Sequence, residues 1–146
     1  MLAHSGLARA LFDLAVAQER RDFTVDVNVD DWPDGVHTAV DALLFSAARE
    51  LLSNVVKHAG ASRASITVGL YGDAARLAVT DDGKGITDGA RNKSLEAGHI
   101  GLHSQRLRIE AAGGALTISG TSSGTVATVV VPVKAADELL GSSAQR

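Results

Sequence analysis

The chain has 146 residues, enough for one domain with a sizeable core, and its 45% hydrophobic and 21% charged residues place it with globular folds and not with disordered chains. A net charge of −3 without any cluster of Lys and Arg argues against a general binder of nucleic acid or anionic membranes, whose affinity comes from counterion release by such clusters. Cysteine is absent, which excludes disulfides, thiolate metal sites and cysteine nucleophiles; no apolar run approaches a membrane span, and the start, "MLAHSGLARALF", lacks the pattern of a secretion signal, so a soluble, cytoplasmic chain is expected.

Leu7, Leu11, Leu14 and Ala15 recur at helical spacing, predicting a first helix from Gly6 to Arg21 with Ser5 placed to cap it. "TVDVNV", Thr24 to Val29, alternates apolar and polar residues as a half-buried strand does, and "DDWPDG" reads as a turn whose Trp32 packs on the core. A three-four apolar step through Val40, Leu43, Leu44, Ala47, Ala48, Leu51, Leu52, Val55 and Val56 predicts a long helix from Val36 to about His58, ended by Gly60. "ASITVGLYG" and "ARLAVTDDG" are β-rich runs around a short turn at Gly72 and Asp73, hence a hairpin.

The stretch from Gly83 to about His99 is polar, rich in glycine and without a period, and a structureless loop of that length inside a domain is usually functional. A third helix is predicted from Leu102 to Ala112, closed by Gly113 and Gly114, and "ALTISG" and "GTVATVVVP" make a last pair of strands. The domain is expected to span residues 1–134, with 135–146 a frayed tail. Helices and antiparallel strands in this order predict an α+β fold, a two-layer α/β sandwich with one helical face packed on one sheet face.

Within "ARELLSNVVKHA", at 100° per residue, Asn54 lies about 40° from Glu50 and Lys57 about 20° to its other side, along the border of the buried face. Taken alone, the row reads more readily as a solvated ion pair than as a site. "DDGKG" changes the balance, because Asp81 falls at a strand end, where ligands are commonly met, and can accept a hydrogen bond from an exocyclic amine. Gly83 and Gly85 let backbone approach a flat ring. Gly98 and Gly101 in "GHIGL" open the third helix, where free N–H groups favour phosphate, and "SGT", Ser123 to Thr125, precedes the last strand.

The order "ELLSN", "DDGKG", "GHIGL", "GT" resembles the N, G1, G2 and G3 boxes of the GHKL ATPase superfamily, and "NVVKHA" with "GHIGL" and "RLRIEAAGG" resembles the catalytic ATP-binding domain of sensor histidine kinases of the NarL/DesK type, over roughly residues 5 to 133. The resemblance implies a mixed, mostly antiparallel sheet covered on one face by about three helices, with ATP and Mg²⁺ as ligands. It makes Asn54 the Mg²⁺ ligand and Glu50 the carboxylate that activates water or orients the metal's water shell. Lys57 and His58 would approach the phosphates, Asp81 would read the adenine amine beside Gly83 and Gly85, and Thr125 would lie near the adenine. Ile86, Gly98 and His99 join the nucleotide contacts, and Gly101 with Leu102 forms the hinge from lid to helix. "GHIGL" carries only part of the denser glycine pattern of many relatives, and the phenylalanine-containing box of other kinase subfamilies is missing.

Such a kinase phosphorylates a histidine followed by an acidic residue. His4, His37, His58, His99 and His103 are followed by Ser, Thr, Ala, Ile and Ser. The expectation is therefore the catalytic half alone, monomeric, without direct membrane contact, binding ATP without phosphorylating itself. Its partners would be a dimerisation and phosphoacceptor domain and, indirectly, a response regulator. His99 and His103 are four apart but Gly101 lies between them and a third ligand is not evident, so they read as surface histidines. A competing reading is a GHKL serine kinase of the anti-sigma type, separable by the acid stability of the phosphate it transfers. A degenerate nucleotide-binding module is disfavoured by Glu50, Asn54, Asp81 and Gly85.

Overall fold

The structure, a computed structural model, describes residues 6–83, 102–121 and 123–133. The elements in chain order are α1 (Gly6–Gln18), β1 (Thr24–Asp31), α2 (Asp41–Asn54) with a π-helical turn (Val55–Ala59), β2 (Arg63–Tyr71), β3 (Ala74–Asp81), α3 (102–111), β4 (Ala115–Thr121) and β5 (Gly124–Pro132). The five strands form one sheet in the order β1-β2-β3-β5-β4, with β1 parallel to β2 and every other pair antiparallel. A parallel pair needs a crossover, and α2 supplies it.

Alternation along the strands decides which face is covered. Ala64, Ile66 and Val68 of β2, Ala75, Leu77 and Val79 of β3, and Ala127, Val129 and Val131 of β5 are all buried. Leu11 of α1, Leu44 and Leu52 of α2 and Ile109 of α3 are fully buried in the same core. The opposite sheet face, with Thr67, Arg76 and Val130, is half-buried or exposed. This is the two-layer sandwich the sequence predicts.

Besides the end of α2, three boundaries differ from the sequence expectation, each for a hydrogen-bonding reason that periodicity does not register. The first helix stops at Gln18 and not Arg21, because Arg20 and Phe23 exchange backbone bonds in a reversal that buries Phe23. β1 runs to Asp31, past the predicted end at Val29: the Asp30 N–H donates to Asn28 Oδ1 at 2.9 Å, the pairing to β2 shifts register there, and Asp31 then pairs Gly69. α2 begins at Asp41 and not Val36, since Thr38 stops the helix: its carbonyl accepts from the Asp41 N–H and its Oγ1 accepts from the Val40 N–H while donating to Asp41 Oδ1 at 2.7 Å. Val40 is nonetheless buried, so the apolar step extends beyond the helix itself.

The hairpin at Gly72 and Asp73 is as expected, with Gly72 at φ +64°. Trp32, the only tryptophan, is buried, as its reading as a core-packing turn residue requires. The Ser5 cap and the tail 135–146 lie outside the described residues.

Candidate functional site

The site-forming residues gather where α2 ends above the ends of β3 and β5. Glu50 and Asn54 occupy the last two turns of α2, both half-buried, and Asn54 Nδ2 is buried without a hydrogen-bond partner. After Asn54 the chain does not continue as an α-helix. The wider π turn carries Val55–Ala59, Gly60 closes it at φ +62°, and Lys57 and His58 are left exposed. A π turn changes the angular step, so Lys57 does not hold the α-helical position beside Glu50 that its spacing predicts.

Beneath that turn lies "DDG". Asp81, at the last position of β3, is only 7% exposed, and its Oδ1 accepts a 2.8 Å bond from the Gly83 N–H. Burial pushes its carboxyl above the usual carboxylate range, the Asp82 charge adds to this, and the Gly83 bond opposes it. Thr125 faces Asp81 directly across the β3–β5 pair, and Ala64 faces it from β2. Two glycines make room for this arrangement. A Cβ on Gly83 would collide with the Ala59 carbonyl and come within 2.9 Å of the Ala59 Cβ, and one on Gly124, at φ +150°, would collide with the Asp81 carbonyl.

Asp82 points the other way and ties the turn to β2. Its Oδ1 accepts from the Ser62 and Arg63 N–H groups at 2.9 Å each, its Oδ2 from the Ser62 hydroxyl at 2.7 Å, and its own N–H donates to the Arg63 carbonyl. The Ser62 hydroxyl, then the Arg63 N–H, holds its carboxyl below the usual 3.8. A depressed pKa contributes stability that is complete above the unfolded value and disappears as pH falls through the folded one. Unfolding followed through Trp32 fluorescence should therefore show the parent more stable than Asp82→Ala near neutrality, with the gap narrowing only below about pH 4. A gap that is constant from pH 7 to pH 2 would refute the clamp.

The structure thus brings Asp81, Gly83 and Thr125 together beside the turn that follows the Glu50–Asn54 helix, and it leaves Lys57 and His58 exposed on that turn. Leu102 starts α3 and packs partly buried against the core. Gly85, Ile86, Gly98, His99 and Gly101 lie outside the described residues. Sequence reasoning missed Asp82 as a clamp, because its partners are 19 and 20 positions away. It also passed over Gly124, although the string "SGT" contains it. Among the described residues there is no group of three His, Asp or Glu side chains that could hold a metal unaided, and no helix is long and apolar enough to cross a membrane.

Residues 39–135 match the family described as histidine kinase-, DNA gyrase B- and HSP90-like ATPases. The chain is 39% identical over 135 residues to the sensor histidine kinase NarS of Mycobacterium tuberculosis, covering 92% of this chain and 31% of that protein. It is 32% identical over 133 residues to the sensor histidine kinase LiaS of Bacillus subtilis, covering 90% and 36%. It spans about a third of the length of these relatives. In fold it is like the blue-light activated histidine kinase EL346 of Erythrobacter litoralis, with a TM-score of 0.71 at 20% identity over 91% of this chain and 42% of that one. The family match over residues 39–135 and the identity to sensor histidine kinases over most of the chain lead to one conclusion: the chain belongs to the histidine kinase-, DNA gyrase B- and HSP90-like ATPase family, as an ATP-binding catalytic domain of the sensor histidine kinase kind.

Proposed function

We propose that this domain binds Mg-ATP between the end of α2 and the Asp81–Gly83 turn, and donates the γ-phosphate to a histidine on a dimerisation and phosphoacceptor domain, from which it passes to a response regulator. The observation that carries the reading is the buried Asp81 carboxylate at the end of β3, facing Thr125 across the strand pair, in a turn that Gly83 and Gly124 allow to pack closely against the Ala59 and Asp81 carbonyls. Asp81 accepts the hydrogen bond of the adenine amine, and the Thr125 hydroxyl lies alongside. Gly83, Gly85 and Ile86 pass beside the ring. Gly98, His99, Gly101 and Leu102 are assigned to the nucleotide contacts by the resemblance alone, the first three lying outside the described residues, and exposed Lys57 and His58 would approach the phosphates.

The donor set on α2 fits magnesium. The Asn54 amide and Glu50 carboxylate offer hard oxygens one turn apart, and the Asn54 amide is not held by a bond through its buried Nδ2, which suits an ion that keeps several waters and shares the phosphates. Bound there, the ion would neutralise phosphate charge. Glu50 would orient a metal-bound water in a kinase and would activate water in an ATPase. In the transfer, an acceptor imidazole nitrogen forms the new P–N bond, the β–γ bridging P–O bond breaks, ADP leaves, and the imidazole proton passes to a carboxylate beside the acceptor.

The domain mixed with labelled Mg-ATP and the phosphoacceptor domain of a similar sensor kinase should leave acid-labile phosphate on the acceptor, none without Mg²⁺, and none on the domain alone. Acid-stable phosphate would move the chain to the serine kinases, and ATP binding without transfer to any tested acceptor would remove the kinase assignment.

A further inference from the structure

We propose that Gln105 is a positioning residue whose bond to Ser46 fixes the register of α3 on α2, and through it the place where the chain re-enters α3 beside the Glu50–Asn54 ridge; the nucleotide part of this rests on the function proposed above. The inner face of α3 reads Leu102, Gln105, Ile109, Ala112 at three-four spacing. Ile109 is fully buried, and Leu102 and Ala112 pack partly buried on the core. Gln105, 8% exposed, is the polar member of an apolar seam. Its Nε2 donates to Ser46 Oγ at 2.7 Å, and its Oε1 is buried without a partner.

Stability does not account for this glutamine. A buried acceptor left unmet is destabilising, and one bond to a hydroxyl does little more than offset it. Exchanging the oxygen and nitrogen of the amide changes nothing, since one end would still bond Ser46 and the other would still be unmet. Leucine would fill the seam without either group. What the bond adds is discrimination: the Arg106 bond to the Leu116 carbonyl holds α3 to β4, and a shift of α3 across α2 exchanges one aliphatic contact for another but breaks the Gln105–Ser46 bond. A lone polar pair in an apolar helix seam is a register device in other helical assemblies, bought at some loss of stability.

The place of Ser46 gives that register a function. Ser46, Glu50 and Asn54 stand at i, i+4 and i+8, on one ridge of α2. Gln105 therefore grips the ridge that carries the two predicted metal-side groups, from the helix that ends the lid segment. A shift of α3 would move the point at which the chain enters the helix, at Leu102, relative to Glu50 and Asn54.

The test uses the whole chain. It has no native cysteine, so Arg49→Cys and Arg108→Cys, both at exposed positions, accept nitroxide labels on α2 and α3 without competition. The distance distribution, the melting temperature and the Mg-ATP affinity are measured with and without Gln105→Leu. The freed Ser46 hydroxyl can bond the Ala42 carbonyl of its own helix, so the variant should melt at or above the parent temperature. Its distribution should broaden or shift, and its Mg-ATP affinity should fall about tenfold. Ser46→Thr, which keeps the hydroxyl, should behave as the parent. An unchanged distribution in Gln105→Leu overturns the proposal, as does a loss of affinity matched by a loss of melting temperature, the signature of mere packing. Distances that respond in a parent chain that ignores Mg-ATP would uphold the register assignment and overturn the ATP reading instead.

Discussion

Asp81→Asn is expected to weaken Mg-ATP binding about 100-fold without lowering the melting temperature at neutral pH, as read by calorimetric titration and thermal unfolding. The two halves of this result have one cause. Asp81 is a carboxylate 7% exposed, and burial raises its pKa. A raised pKa means that the charged form is disfavoured by folding: the cost is absent below the unfolded value, 3.8, and complete above the folded one. Asparagine removes that cost near neutrality while keeping an Oδ1 for the Gly83 N–H, so the fold does not suffer. It is a poorer acceptor, and it presents an amine of its own toward the adenine amine if it turns. Any stability gain of the variant should shrink as pH falls toward 3.8. Equal affinity in parent and variant would mean that the base is not read at Asp81, whatever else the pocket does.

Gly124→Ala should cost about 3 kcal/mol of unfolding free energy, the largest loss expected from adding a single methyl group at any described glycine. Two effects add at the position. The backbone stands at φ +150°, which L residues rarely adopt, and the new Cβ would overlap the Asp81 carbonyl oxygen while lying 3.2 Å from its carbon. Backbone on a paired central strand cannot turn aside as a side-chain tip does. The control is Gly35, also at positive φ (+72°) but with nothing within 4 Å of an added Cβ. There only the conformational term applies, about 1 kcal/mol. Chemical denaturation of the two variants separates strain from collision. Equal losses would mean that the β3–β5 approach at Asp81 is looser than the distances indicate.

The elements legible in the sequence were those where burial and hydrogen bonding share a period. β2 and β3 alternate cleanly and are recovered with their two-residue turn. α2 was legible as a helix and not at its ends, because Val40 is buried without being helical and because nothing in "VVKHA" distinguishes a π turn from an α turn. Of the site, Asp81 and Gly83 were readable from "DDG" after a strand. That Thr125 should face Asp81 was carried only by the resemblance, since it depends on β5 and not β4 pairing with β3, a choice that no local pattern contains. Gln105 was hidden for a different reason. An apolar-step reading of α3 passes over one polar residue, and its partner Ser46 is 59 positions away.

Among the described residues the sheet ends on one side at β1, the strand whose register shifts after Asn28. An open strand edge is an invitation to a second chain, and long-lived soluble proteins discourage it. Here Asp30 and Asp31 are exposed along that edge, while Asp26 is paired with Arg63 at 3.6 Å, and the irregularity breaks the straight ladder a newcomer would need. A second copy docking edge to edge would have to bring like charges opposite each other and bridge a misaligned row of amides. The same local kink that lets Asp31 meet the Tyr71 hydroxyl at 2.9 Å thus also guards the molecule against polymerising through its own sheet.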